Sequence, residues 1–370
     1  MRAPNDDEGA GGPHRLPGDC RGDAAVTSRR VSRKAVLCLD TNYLSNLAKA
    51  RSGLSLPVEA VPFWQELFSA LEDAVWGDRL VCPGFDVQIE EAEFDDRIAL
   101  PVWIVMLALS LGLQFHSRDS LIVRQVEDAA YRFLGRELPA RLPWEEALQD
   151  DPDLPATELS RRARERPFMP PLHPPDVVAR RRAEKERRVS SLRSVVEGGN
   201  DSAAGRQVES VKRTLLARWL APNAFRDLIE TARADRPPQD PERWQAAQEY
   251  VGLTRRLGEA GLERARMPEF LASKELQGIP YVDIYCHVTL AAAHNAGEAR
   301  SLRGSDESDR RIVSALLPSC SILTTDRFMK HILVDLLHYD EEYGCHVFSG
   351  RLDDVRSLTE AVRALPRPSG

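Results

Sequence analysis

The sequence is poor in the short patterns that announce enzyme chemistry. None of its six cysteines (Cys20, Cys38, Cys82, Cys286, Cys320, Cys345) forms a Cys-x-x-Cys pair, which argues against a zinc knuckle or redox motif. Several lie inside apolar runs, as expected of buried free thiols in a reducing cytosol. The eight histidines are dispersed without His-x-x-x-His or His-Glu-x-x-His spacing, so a zinc hydrolase is not indicated. A Gly-x-Ser-x-Gly elbow and a Walker lysine loop are also missing. Positive charge is not in excess: 50 Lys and Arg stand against 57 Asp and Glu, a net charge of -7. That excludes a generally basic nucleic-acid coat, but not a nucleic-acid enzyme, which needs only local positive charge. The longest apolar run, Ile98 to Leu113, has 16 residues and is broken by Pro101, Ser110 and Gly112. It is short for a membrane span and reads as a buried helix with Pro101 near its first turn. There is no internal repeat and no apolar signal core. Residues 1–34 read as a flexible arm rich in Gly, Pro, Asp and Arg.

What is present points to an α/β protein. The 370 residues are 42% apolar, enough for a sizeable core. Ala35-Val-Leu-Cys-Leu-Asp40 is a short apolar run ended by an acid, the pattern of a central parallel strand. Tyr43–Arg51 and Val61–Val75 read as helices, Arg79–Pro83 as a strand and Asp86–Phe94 as a helix. Later, Val282–Ala296 reads as an apolar helix, Gly304–Asp309 as a turn and Arg310–Leu317 as a helix. Ser321–Asp326 is a second strand ending in an acid. Phe328–Leu337 follows as a helix, Cys345–Phe348 as a strand and Leu352–Leu365 as a last helix. Alternating strands and helices predict a parallel sheet with helices on both faces.

The middle differs. Eight of the 25 prolines fall between Pro143 and Pro175. Residues 161–193 hold eleven Arg or Lys against four Asp or Glu, a local balance of +7. Helices are expected at 176–196, Ser210–Leu228 and Pro241–Leu257, with a loop at 197–205. The predicted organisation is an arm (1–34), a first α/β part (35–140), a helical, partly basic insertion (141–275) and a second α/β part (276–370).

Ligands of open α/β sheets bind beyond the carboxyl ends of the strands, so Asp40 and Asp326 are expected in one crevice. Glu90 or Glu91, and Asp306 or Asp309, are further acids able to reach it. Clustered carboxylates repel one another and titrate upward. A Mg²⁺ or Mn²⁺ ion, which takes oxygen ligands, removes that penalty. One or two such ions activate water for attack on a phosphodiester. Taken singly, each acid also fits a helix cap or a solvated face.

These residues, Val-Leu-Cys-Leu-Asp40-Thr41-Asn42 and Leu317-Pro318 with Thr324-Thr325-Asp326 after it, resemble a PIN domain over about 34–95 and 277–350. The resemblance implies a three-layer α/β/α fold around a parallel sheet, and it leaves unmatched the mostly helical insertion that interrupts it. It further implies a cytoplasmic, metal-dependent endoribonuclease using Mg²⁺ or Mn²⁺, with Asp40, one of Glu90 and Glu91, Asp309 and Asp326 as metal-binding acids. Glu91 is favoured over Glu90, because Gln88 one turn earlier shares its face, and Asp306 is an additional ligand or cap. Thr41, Asn42 and Thr325 are expected to orient carboxylates or water, with a helix cap as the equal alternative for Asn42. RNA is the expected substrate. Many members of the family are bacterial toxins or defence effectors, so an antitoxin or defence-system partner fits, and an oligomer is compatible. A DNA-acting flap-type nuclease and a catalytically silent scaffold that binds a protein or RNA are the alternatives. For phosphate contacts the basic stretch supplies Arg180, Arg181 and Arg182, while Arg310, Arg311, Arg327 and Lys330 lie beside the acids in sequence.

Overall fold

A computed structural model describes residues 32–165, 174–183, 212, 255–295 and 304–367. The loop expected at 197–205, and most of the helices expected at Ser210–Leu228 and Pro241–Leu257, lie outside the described residues. So do residues 1–31 of the expected arm. Residues 32–34 are not arm-like: Ser32 donates to Asp153 at 2.8 Å, and Lys34 Nζ pairs with Asp78 at 2.7 Å.

Four parallel strands form one sheet in the order β2-β1-β3-β4. They are β1 (Ala35–Cys38), β2 (Leu80–Val81), β3 (Ile322–Thr325) and β4 (His346–Ser349). Alternate residues enter two separate apolar cores. Val36, Cys38, Leu323 and Val347 enter one; Leu37, Leu39 and Ile322 enter the other. A strand buried on both faces is mostly apolar, which is why β1 reads as a continuous run, while β3 adds two buried threonines after Ile322-Leu323. Between β1 and β3 the order reverses. The chain leaves β1 towards β2 and leaves β3 towards β4, so their carboxyl ends form the reversal point at which open α/β sheets bind ligands.

The principal helices are α1 (Thr41–Ser52), α2 (Val61–Trp76), α3 (Asp86–Ala92), α4 (Asp96–Ser110), α5 (Arg118–Phe133), α6 (Ala156–Glu165) and α7 (175–183). After them come α8 (Pro280–Asn295), α9 (Gly304–Leu316), α10 (Arg327–Lys330) and α11 (Leu352–Arg363). No helix among the described residues is long and apolar enough to cross a membrane. Five cysteines are free and buried.

Several expectations are corrected. Pro101 is the sixth residue of α4, a turn deeper than expected, where it removes the donor for the Arg97 carbonyl. Nor is α4 wholly buried: Leu100 and Ile104, one turn apart, are half or more exposed. Residues 304–309 are not a turn but the opening of α9. The segment expected as one helix at Phe328–Leu337 is α10 followed by a π-helical turn, His331–Leu336. The described flanks of the insertion are built into the cores, not appended to them: Leu257, Leu262 and Phe270 pack in one, Ala156 and Leu159 in the other. Gly112 at φ 82 turns the chain against α6, where a Cβ would meet that of Ala163 at 2.5 Å.

The sequence reading assigns no element between Leu113 and Pro143, where α5 forms. Leu121, Ile122, Val126, Ala129 and Ala130 make its buried face, at helical spacing. Ser117 caps it, its Oγ accepting from the Ser120 N–H at 3.2 Å. Ser117→Ala is expected to lower stability by about 1 kcal/mol, read from the midpoint of urea unfolding.

Candidate metal centre

Acids from four elements meet at this reversal point. Asp40 follows β1 at the N-cap position of α1, yet its side chain makes no capping bond. Instead Asn42 Nδ2 donates to its Oδ2 at 3.1 Å, so Asn42 orients the carboxylate and is not itself the cap. Asp326 occupies the same position after β3 and does cap, its Oδ1 accepting from the Met329 N–H at 2.7 Å. Glu91 comes from α3, and Asp306 and Asp309 from the first turns of α9.

Ligand oxygens of Asp40, Glu91 and Asp309 all lie within 4.8 Å of one another, and so do those of Asp306, Asp309 and Asp326. Asp309 belongs to both groups. Of the competing pair, Glu91 is in the centre. Glu90 points elsewhere, to Arg311 at 3.5 Å. Asp306 and Asp309 both take part, three residues apart on one face of α9.

Burial sets the electrostatics. Asp40, Asp306 and Asp309 are 2%, 1% and 3% exposed, so these are not ordinary surface acids. Burial, then the Glu91 charge and more weakly Asp326, push Asp40 up from 3.8 to about 7, against the Asn42 amide and the Thr41 backbone N–H. Asp309 is pushed well above the usual carboxylate range by burial first, then by Asp40, Glu91, Asp326 and Asp306. Acids so placed favour a bound positive charge. The donors are all carboxylate oxygens, which suits a hard divalent cation and not a thiolate- or imidazole-loving one. The Thr41 hydroxyl is buried with no hydrogen-bond partner among the described residues. These residues fit a metal ion.

The roles of two side chains at the centre escape the sequence reading. Thr325 is expected to orient the acids, but the hydroxyl that meets the Asp40 backbone is that of Thr324. Thr324 Oγ1 accepts from the Asp40 N–H at 2.7 Å and donates to the Cys38 carbonyl at 3.4 Å. Gln88 Nε2 donates to the Leu39 carbonyl, and Gln88 Oε1 accepts from the Phe85 N–H at 2.9 Å. The apolar neighbours of Gln88 were the available signal, since a buried amide must find partners.

The expected phosphate contacts divide. Arg310 is fully buried, pairs with Glu307 at 2.7 Å and stands over the Tyr285 ring at 6.0 Å. It cannot meet a substrate from solvent, and the expectation for it is wrong. Arg311 is mostly buried in its pair with Glu90, and Lys330 pairs with Asp354 at 2.9 Å. Arg181 pairs with Glu93 at 3.3 Å, and Arg182 donates to the Phe94 carbonyl at 2.7 Å. Helix α7 therefore lies on the end of α3, close in sequence to Glu91. Arg180, Arg182 and Arg327 are exposed. Comparison with protein-family models, with curated proteins and with solved structures gave no match to this chain.

Proposed function

We propose that the chain is a metal-dependent endoribonuclease with a PIN-like, three-layer α/β/α core. The observation that carries this reading is the pair of overlapping carboxylate groups joined at Asp309, at the reversal point of a parallel sheet. The division of strand residues between two apolar cores supports the layered arrangement.

Asp40, Glu91 and Asp309 form one ion site and Asp306, Asp309 and Asp326 a second, with Asp309 shared. Bound Mg²⁺ or Mn²⁺ would supply the Lewis acidity that activates water and stabilises the leaving oxygen. Asn42 holds the Asp40 carboxylate in place. Asp40, near 7 without metal, gives up its proton as the site fills. Exposed Arg180, Arg182 and Arg327 meet the phosphates on either side of the cut. Water adds across the P–O3′ bond, leaving a 5′-phosphate and a 3′-hydroxyl.

The test is cleavage of single-stranded RNA by the purified full chain with Mn²⁺, with EDTA and Asp40→Asn as controls. The expected result is Mn²⁺-dependent RNA cleavage, 5′-phosphate ends and loss of activity in Asp40→Asn. Preferential cleavage of DNA would replace RNA by DNA as the substrate. A melting temperature unmoved by Mn²⁺ and no cleavage of either polymer would make the chain a silent scaffold and overturn the reading.

A further inference from the structure

We propose that Gln88 and Thr324 are positioning residues that set the spacing of the metal-binding acids. Gln88 sets Glu91 against Asp40, and Thr324 sets Asp326 against Asp40. The inference rests on the metal reading above and assigns its geometry to two side chains that touch no ion.

The argument starts from the backbone. The ladder between β1 and β3 ends at the Cys38–Leu323 pair. Beyond it, the Leu39 carbonyl and the Asp40 N–H need partners, because unpaired buried backbone groups are costly. Two side chains satisfy them. Gln88 takes the Leu39 carbonyl, and Thr324 takes the Asp40 N–H while its hydroxyl also donates to the Cys38 carbonyl. Each bridge starts on an element that carries another acid. Gln88 is one helical turn before Glu91 on α3, and Thr324 is two residues before Asp326 at the end of β3.

Both bridges are rigid. Gln88 and Thr324 are 2% and 1% exposed, so water cannot take over a broken bond. The Gln88 amide is locked at its other end by the Phe85 N–H. Movement of α3 is therefore passed to the residue before Asp40, and movement of β3 to Asp40 itself. A small divalent cation demands close to ideal ligand geometry, so a loosened bridge shows first as weakened metal binding.

The bridges also act on different ion sites. Gln88 bears on Asp40 and Glu91, which share a site with Asp309. Among the described residues its hydrogen bonds go to Phe85, Cys38 and Leu39, not to Asp306 or Asp326. A purely structural glutamine would instead change folding stability and leave both ion sites alike.

The experiment is titration calorimetry of the full chain with MnCl₂, alongside melting curves in EDTA, for wild type, Gln88→Met, Thr324→Val and Thr324→Ser. Gln88→Met keeps the volume and loses the side-chain hydrogen bonds to Leu39, Phe85 and Cys38. It is expected to weaken one of the two Mn²⁺ sites by about 10–100-fold and to spare the other, by analogy with partners of metal ligands elsewhere. Thr324→Val is expected to weaken Mn²⁺ binding, and Thr324→Ser, which keeps the hydroxyl, to restore it. Should Gln88→Met fail to fold, the isosteric Thr324→Val and its serine rescue decide the matter. Wild-type Mn²⁺ affinity in the folded Gln88→Met and Thr324→Val proteins, with only the metal-free melting temperature lowered, overturns the inference and leaves the metal reading standing. Absence of Mn²⁺ binding in wild type overturns both.

Discussion

On the proposed function, Asp309→Asn is expected to abolish the Mn²⁺-dependent rise in melting temperature and to lower RNA cleavage by about 10³-fold, taking roughly 4 kcal/mol as the worth of the lost metal chemistry. The size follows from position. Asp309 is the acid common to both carboxylate groups, so one substitution damages both proposed ion sites. Asn keeps the shape and removes the charge. Without metal the same change is expected to stabilise the protein at pH 8. Burial and four neighbouring acids oppose ionised Asp309 in the fold, and Asn relieves that opposition. The variant therefore melts higher than wild type in EDTA and no higher with added Mn²⁺. Glu90→Gln is the control. Its carboxylate faces Arg311, and cleavage should stay at the wild-type level. Cleavage by Asp309→Asn at the wild-type rate would exclude the shared-acid arrangement.

Asp40 makes the metal-free protein lose stability as pH rises. Its carboxyl titrates near 7 in the fold against an ordinary 3.8. A group raised in this way contributes its full share of stability below about pH 4. That share is lost as pH climbs through the folded value. A shift of about three units amounts to roughly 4 kcal/mol at 1.36 kcal/mol per unit. In EDTA, the unfolding free energy of Asp40→Asn minus that of wild type should grow from pH 4.5 to about 7 and level off above it. Asp283 does not blur the comparison. Its burial is outweighed by His287 and Lys212, which hold it at about 2, below this window. Mn²⁺ binding should show the mirror image and weaken as pH falls below 7, because the ion competes with the Asp40 proton. A difference that stays constant across the pH range would mean that Asp40 ionises normally.

Legibility differed from residue to residue. Asp40 stood out because it ends an unbroken apolar run, and Asp326 because it ends the β-favouring run Ile322-Leu323-Thr324-Thr325. Strand β2 is only two residues long, so its extent could not be judged from propensity. Gly304-Ser-Asp-Glu-Ser-Asp309 has the composition of a turn, yet it opens a helix. Acids in a first helical turn are favoured by the positive end of the helix dipole, and that preference looks the same in sequence as a turn preference. Arg310 and Arg311 looked like surface charges. Glu307 and Tyr285 made a buried place for the first, and Glu90 occupied the second.

The sequence by itself determined the sheet strands, the acids at their ends and the oxygen-only chemistry of the site, because these depend on residue type and on near neighbours. Tertiary structure alone decided that Glu91 and not Glu90 joins the centre, since adjacent helical residues point about 100° apart and only the docking of α3 selects between them. It also decided that Asp309 serves both carboxylate groups and that Thr324 holds the end of β1. The Thr324 bond to Cys38 spans 286 positions, and no local pattern encodes a distance through space between residues so far apart in the chain.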